Sequence, residues 1–183
     1  MWFGLVLVGL VLVGGFIGLF NGLVRMRQLT QNAWADVDVY LKRRSELIPN
    51  LVAAVKGYAT HESTLLEALA LSRTQALAAG SLPARADAEG EVAAQLHRTL
   101  ILAENYPDLK SSANFLNLQQ ELSTTETKIA SARQYYNACV RDLNTKIEAF
   151  PSSIVAASMG LKNAEFFQVV EPTEREVVSV AGI

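Results

Sequence analysis

Apolar residues fill the start of the chain and then thin into a helical rhythm. Met1 to Val24 holds no ionisable side chain and a single strongly polar residue, Asn21. Trp2 to Phe20 supplies 19 residues before that asparagine, and a bilayer core about 30 Å thick takes about 20 apolar residues of helix. The run predicts a membrane-spanning helix. Beyond it, Val37, Leu41, Ile48, Val52 and Val55 form one stripe of a helix from near Arg25 to about Tyr58. Pro49 lies inside that stripe, removing a backbone donor and crowding the carbonyl of Ser45, which predicts a kink or a break. A second helix, from Glu62 to Ala79, stops at Gly80-Ser81-Leu82-Pro83. Ala88, Val92, Leu96, Leu100 and Ala103 mark a third, closed by Asn105-Tyr106-Pro107.

The last helix carries the clearest pattern. Phe115, Leu118, Leu122, Thr125, Ile129, Ala132, Tyr136, Cys139 and Leu143 alternate three and four residues apart, and Ile147 and Phe150 continue after one extra step of four. This is a heptad seam with a stutter. Running from Pro107 to Phe150, such a helix would be about 60 Å long and would need a long partner, which the kinked stretch 25–79 can supply. A short helix after Pro151-Ser152-Ser153 would reach Met159. Phe166 to Val170 and Val177 to Val180 are β-branched and aromatic but bounded by Pro172 and charges, and predict an extended tail. The expected fold is all-α: a transmembrane anchor (1–24), a long antiparallel bundle of three to four helices (25–165) and the tail (166–183). No internal repeat or low-complexity tract interrupts it.

A cleaved signal peptide would open with a basic region, hold a shorter apolar run and end in an A-x-A-like site. The run has none of these, so a retained anchor is expected, with Trp2, Arg25 and Arg27 as its interfacial residues. Arg25 and Arg27 on the C-terminal flank put the N-terminus outside and the body in the cytoplasm by the positive-inside rule. Gly14, Gly18 and Gly22 lie on one face and would let two such helices approach closely in lipid. Glycine is also simply frequent in membrane helices, and the pattern fits both accounts.

Composition narrows the chemistry. The chain has 183 residues, 50% of them hydrophobic and 19% charged, which suits one membrane-tethered helical domain. A net charge of −2 argues against a protein built to bind nucleic acid. Residues 25–60 nevertheless hold 6 basic and 3 acidic side chains, and residues 61–183 hold 10 and 15. A single cysteine, Cys139, excludes an intrachain disulfide and a Cys-rich metal site, and on the seam it reads as a small apolar residue. His61-Glu62 begins like H-E-x-x-H, but position 65 is leucine, so the second zinc ligand is missing. His97, beside Arg98, reads as a solvated or partly packed histidine. Asp36 and Asp38 point to different sides of a helix, and no glycine-rich loop follows a strand. Neither a catalytic set nor a cofactor site is expected.

Two polar features stand out. Lys42, Arg43 and Arg44 could meet anionic lipid or a partner, but they lie about 27 Å along a helix from Val24, beyond a Debye length of about 8 Å. A solvated face or interhelical pairs accounts for them better. Glu126, Arg133, Asn137, Asn144 and Glu148 trace a polar stripe beside the seam; such residues can fix register, join neighbouring copies, or form the wet side of a bundle.

Several blocks resemble a known family. Asn32 to Arg44, Leu47-Ile48-Pro49-Asn50-Leu51-Val52, Lys56 to Glu62, Tyr106 to Lys110, Asn114-Phe115, Leu122 to Glu126, Ala132 to Asn137 and Phe150-Pro151-Ser152 together resemble the LemA family of bacterial membrane proteins over about residues 20–155. The resemblance implies a single N-terminal span, a cytoplasmic helical bundle and no established enzymatic activity, so it transfers no catalytic residue. It marks Asp36, Asp38, Lys42, Arg43, Arg44, Asn50, Lys56, His61, Glu62, Asp108, Lys110, Arg133, Tyr136 and Asn137 as shared polar positions with an interaction or structural role.

The expected function is a non-enzymatic scaffold or coat at the bacterial inner membrane. Membrane lipids and copies of itself are its partners, with Gly14, Gly18 and Gly22 as membrane-helix packing positions. Lys42, Arg43, Arg44, Glu126, Arg133, Asn137 and Asn144 are the candidate interaction residues. The alternative is a membrane-tethered sensor or adaptor that binds a cytoplasmic protein or small ligand.

Overall fold

A computed structural model describes residues 2–59 and 62–168. Among them 85% are helical and none lies in a strand. The helices are α1 (Trp2–Lys56), α2 (Ser63–Ala78), α3 (Leu82–Ala103), α4 (Pro107–Lys110), α5 (Ala113–Glu148) and α6 (Ser152–Ser158). The described residues form two compact units: 2–38 with 130–166, and 39–59 and 62–129 with 167–168. The boundary that hydropathy suggests at Val24 falls in mid-helix, because α1 runs through it without a break.

In the first unit, α1 and α5 run antiparallel. Trp34 stacks obliquely on Tyr136, their ring centroids 5.4 Å apart, and twelve residues back along α1 the face of Gly22 meets the Lys146 side chain. The buried seam residues Tyr136, Cys139 and Leu143, with Val140 beside them, belong to this part of α5, and Leu23, Ala33 and Val37 are buried from α1. Helix α6 closes the end: Val155 and Ala156 form a cluster with Leu23, and Leu19, Ile147, Met159 and Leu161 pack around it. Gly160 ends α6 with φ +63°. Its N–H donates to Ala157 O at 3.1 Å, and the next N–H, of Leu161, donates to Ala156 O at 3.0 Å, which is the Schellman stop that glycine permits.

The second unit is a helical bundle. Leu47, Ile48, Leu51 and Val55 of α1, Leu66, Leu69 and Ala76 of α2, Val92 and Leu96 of α3, and Phe115, Leu118 and Leu122 of α5 make one core. The α2–α3 hairpin turns where Gly80 and Pro83 predict it. The hydroxyl of Ser81 accepts from Ala84 N at 3.4 Å, capping α3, and Pro83 sits in its first turn, where no N–H is needed.

Two expectations change in detail. Of the kink or break expected at Pro49, the break does not occur, since α1 runs through it. The carbonyl it deprives, that of Ser45, accepts instead from Arg73 Nε of α2 at 2.7 Å, so a neighbouring helix replaces the lost donor. The final helix is not continuous from Pro107 to Phe150: α4 stops at Lys110, and α5 starts afresh at Ala113. Phe150 lies beyond the end of α5 and is 82% exposed, because without helical phase it cannot continue the seam. The tail has no regular structure over 166–168, yet Phe167 is buried in the second unit. The remaining tail, including Val177 to Val180, and His61 lie outside the described residues.

Candidate membrane-proximal site

Residues 2–18 of α1 are exposed throughout, and α1 is the one described helix long and apolar enough to cross a membrane, with none of that stretch buried inside the chain. Trp2, Phe3 and Leu12 present their side chains outward. Gly14 and Gly18 have open space where a Cβ would stand, whereas a Cβ on Gly22 would meet Lys146 Nζ at 3.5 Å. The third glycine therefore already faces a side chain of its own chain. Arg25 and Arg27 follow, both exposed.

Past the arginines, the first unit holds an open cavity of about 520 Å³, lined by Arg27, Thr30, Trp34, Tyr136, Leu143 and Lys162 among others. One wall is the stretch after α6, fixed by side chains of α5. Asn144 grips Ala164 at both backbone groups, donating from Nδ2 to its carbonyl at 2.9 Å and accepting its N–H at Oδ1 at 2.8 Å. The Tyr136 hydroxyl donates to the carbonyl of Glu165 at 2.9 Å. Burial, then the Glu165 carboxylate, pushes the Tyr136 hydroxyl above its ordinary pKa of 10.0, so it stays a neutral donor at physiological pH. Asn163 Nδ2 donates to Glu148 Oε1 at 2.6 Å. Replacing Asn144 with alanine removes both bonds to Ala164, a loss of about 1–3 kcal/mol. Amides of residues 161–168 should then exchange about fivefold faster or more, with α5 unchanged; unchanged exchange there would show that the clamp is dispensable.

In the second unit the buried polar feature is Arg44, 2% exposed. Its Nη1 donates to both carboxylate oxygens of Glu126 at 2.9 and 3.1 Å, and its Nη2 to the carbonyl of Glu89 at 3.1 Å and to Glu89 Oε2 at 2.5 Å. Arg85 Nε, one turn before Glu89, donates to Oε1 at 2.7 Å. Helices α1, α3 and α5 are thus tied by two arginines and two carboxylates whose formal charges cancel, the arrangement a buried ion needs.

The interaction candidates divide accordingly. Lys42 and Arg43 face solvent, with Arg43 in an exposed pair with Glu121 at 2.9 Å. Arg44, Glu126 and Asn144 are engaged within the chain, as is Asn137, and Arg133 is half-buried. Three residues of the polar stripe are wired internally: Glu126 meets Arg44 of α1, and Asn144 and Glu148 hold the segment after α6. Of the other shared polar positions, Asp36, Asp38, Asn50, Lys56 and Asp108 are exposed, and Glu62 is half-buried. Lys110 pairs with Glu104. His97 is exposed. Among the described residues no three His, Cys, Asp or Glu side chains gather as a metal site. Sequence reasoning missed Glu89 and Phe167 and the docking of α6 on Leu19 and Leu23; only Glu89, a carboxylate one turn after Arg85, carried a local signal.

The protein-family model described as the LemA family matches residues 33–181. The chain belongs to the LemA family. Among its relatives, magnetosome protein MamQ 2 of Paramagnetospirillum magneticum is 26% identical over 175 residues, covering 81% of this chain and 64% of that protein. Protein LemA of Metamycoplasma hominis is 26% identical over 160 residues, covering 85% of this chain and 72% of that one. MamQ of Magnetospirillum gryphiswaldense is 24% identical over 174 residues, again covering 81% of this chain and 64% of the relative. The chain thus spans a little under two thirds of the MamQ proteins it matches. None of these names denotes a catalytic activity. With the apolar reach of α1, the family makes this LemA protein a membrane-associated helical protein.

Proposed function

We propose that this LemA protein is a non-enzymatic, membrane-anchored scaffold that self-associates at the inner face of the bacterial inner membrane, with its N-terminus outside and its helical body in the cytoplasm. The observation that carries the reading is the absence of any linker: the apolar turns of α1 pass directly into the packed turns of the first unit. A span joined in this way cannot tilt or rotate without moving the helices packed on it, so contacts made in lipid and contacts made by the body reinforce one another. Gly14 and Gly18, with open space before them, offer the close-approach face in lipid. Arg25 and Arg27 just past the apolar run support the orientation. The names of the relatives denote a family and a cellular body rather than a reaction.

Energy transfer between donor- and acceptor-labelled copies in vesicles tests the reading. Wild-type protein should show transfer that survives dilution with lipid, and Gly18→Leu should weaken it about tenfold, equivalent to ~1.4 kcal/mol. Transfer that falls to the random-collision level at moderate dilution in both would overturn it. The second reading, a sensor or adaptor for a small ligand, draws on the cavity beside Arg27 and Lys162; it would gain if the protein stayed monomeric and a ligand protected the 161–168 segment from exchange.

A further inference from the structure

The end of the first unit lies at an unusual depth. Twenty residues of span counted from Trp2 end at Asn21, and the shorter limit of about 17 ends at Gly18. Yet Leu19 and Leu23, at that boundary, are covered by the chain itself, through Ile147 of α5 and Val155 and Ala156 of α6. Because α5 runs antiparallel to α1, each residue beyond Lys146, which sits at Gly22, moves the chain further toward the apolar run. The turn between α5 and α6 is therefore level with the last turn of the span.

That turn carries the wrong side chains for water. Phe150, in the turn, is 82% exposed, and Ile154, in the first turn of α6, is 63% exposed. Neither side chain belongs to the cluster that Val155 and Ala156 make with Leu23. Cations lie on the body side of that level: Arg25 and Arg27 follow the apolar run on α1, and Lys146 stands at Gly22. Apolar tips with Lys and Arg on their body side match the boundary between acyl chains and anionic headgroups.

We infer that the α5–α6 corner is a second membrane contact, a wedge in which Phe150 and Ile154 enter the headgroup–acyl boundary of the bilayer that α1 crosses. The occupant of this apolar surface is lipid, because the packing of α6 on Leu19 and Leu23 fixes the corner at lipid depth. The consequence is orientational: one spanning helix leaves the first unit free to tilt, whereas a span plus a wedge beside it pins that unit at one angle to the membrane. The inference rests on α1 being a span, and its test separates the two.

Spin labels placed one at a time by Leu12→Cys, Ala35→Cys, Phe150→Cys and Ile154→Cys, in full-length protein with Cys139→Ala, are read in nanodiscs of phosphatidylcholine and phosphatidylglycerol. Collision with oxygen, which concentrates in lipid, is compared with collision with a water-soluble nickel chelate. Ala35 is exposed on α1, about 16 Å beyond Val24, and serves as the aqueous reference. Labels at 150 and 154 should show an oxygen-to-nickel ratio at least threefold above that at 35, and below that at 12. A ratio at 150 and 154 equal to that at 35, with 12 still deep in lipid, overturns the wedge and leaves the span intact. Labels at 150 and 154 shielded from both reagents would mean that protein covers the corner, which also overturns it. A label at 12 that reads as aqueous overturns the span and the wedge together. Phe150→Trp in a background of Trp2→Phe and Trp34→Phe reports the same depth without a label: quenching by brominated lipid supports the wedge, and its absence overturns it.

Discussion

Arg44→Ala should destabilise the helical body by about 3–5 kcal/mol, the largest single-residue effect expected in the chain. The reason is what the arginine leaves behind. Glu89, 6% exposed, is held between Arg44 and Arg85; without Arg44 its carboxylate keeps one cation and loses the 2.5 Å bond to the other. Glu126 suffers less, since its side chain is 38% exposed and can turn to water. The penalty is thus mainly that of an uncompensated charge, and it should shrink when the charge goes too. Arg44→Met combined with Glu89→Leu should recover most of the loss, because apolar residues of similar volume fill a buried ion-pair site at little cost. Denaturant titration followed by helical circular dichroism measures both variants. A loss under 1 kcal/mol for Arg44→Ala would show that the network carries no stability.

Leu23→Ala should open the membrane-proximal end of the first unit by about 2–5 kcal/mol. Leu23 is fully buried and forms the α6 cluster with Val155 and Ala156. Shortening it to alanine leaves a cavity under a helix of 7 residues that has little else to hold it, so α6 should detach locally while the second unit stays intact. At about 1.4 kcal/mol per tenfold, amides of α6 should exchange roughly 30-fold faster or more. Equal exchange in the variant and the parent would mean that α6 is held by something other than this cluster.

The all-α architecture was legible because every long element carries its own periodicity. The span declares itself by length, and the α5 seam by alternate steps of three and four that match buried residues from Phe115 to Leu143, with Ala132 only half-buried. Gly80 and Pro83 marked the α2–α3 turn, since both act locally on the backbone. What periodicity does not encode is where an orphaned group finds a partner. The Ser45 carbonyl freed by Pro49 is satisfied by Arg73, 28 residues away, and no local pattern announces that. Arg44 shows the same limit: interhelical pairing was foreseeable from its distance to the membrane, but near-complete burial came from the meeting of Glu89 and Glu126 across three helices. Asn144 and Glu148 appeared as part of a polar stripe, and their role as a clamp depends on a return of the chain after α6 that only tertiary structure reveals.

The most direct test of the account is to count copies of the intact, fluorescently labelled protein in single patches of lipid bilayer by stepwise photobleaching. A membrane-anchored scaffold predicts spots that bleach in several steps and grow with protein density. Single-step spots at every density, freely diffusing in the bilayer, would contradict it.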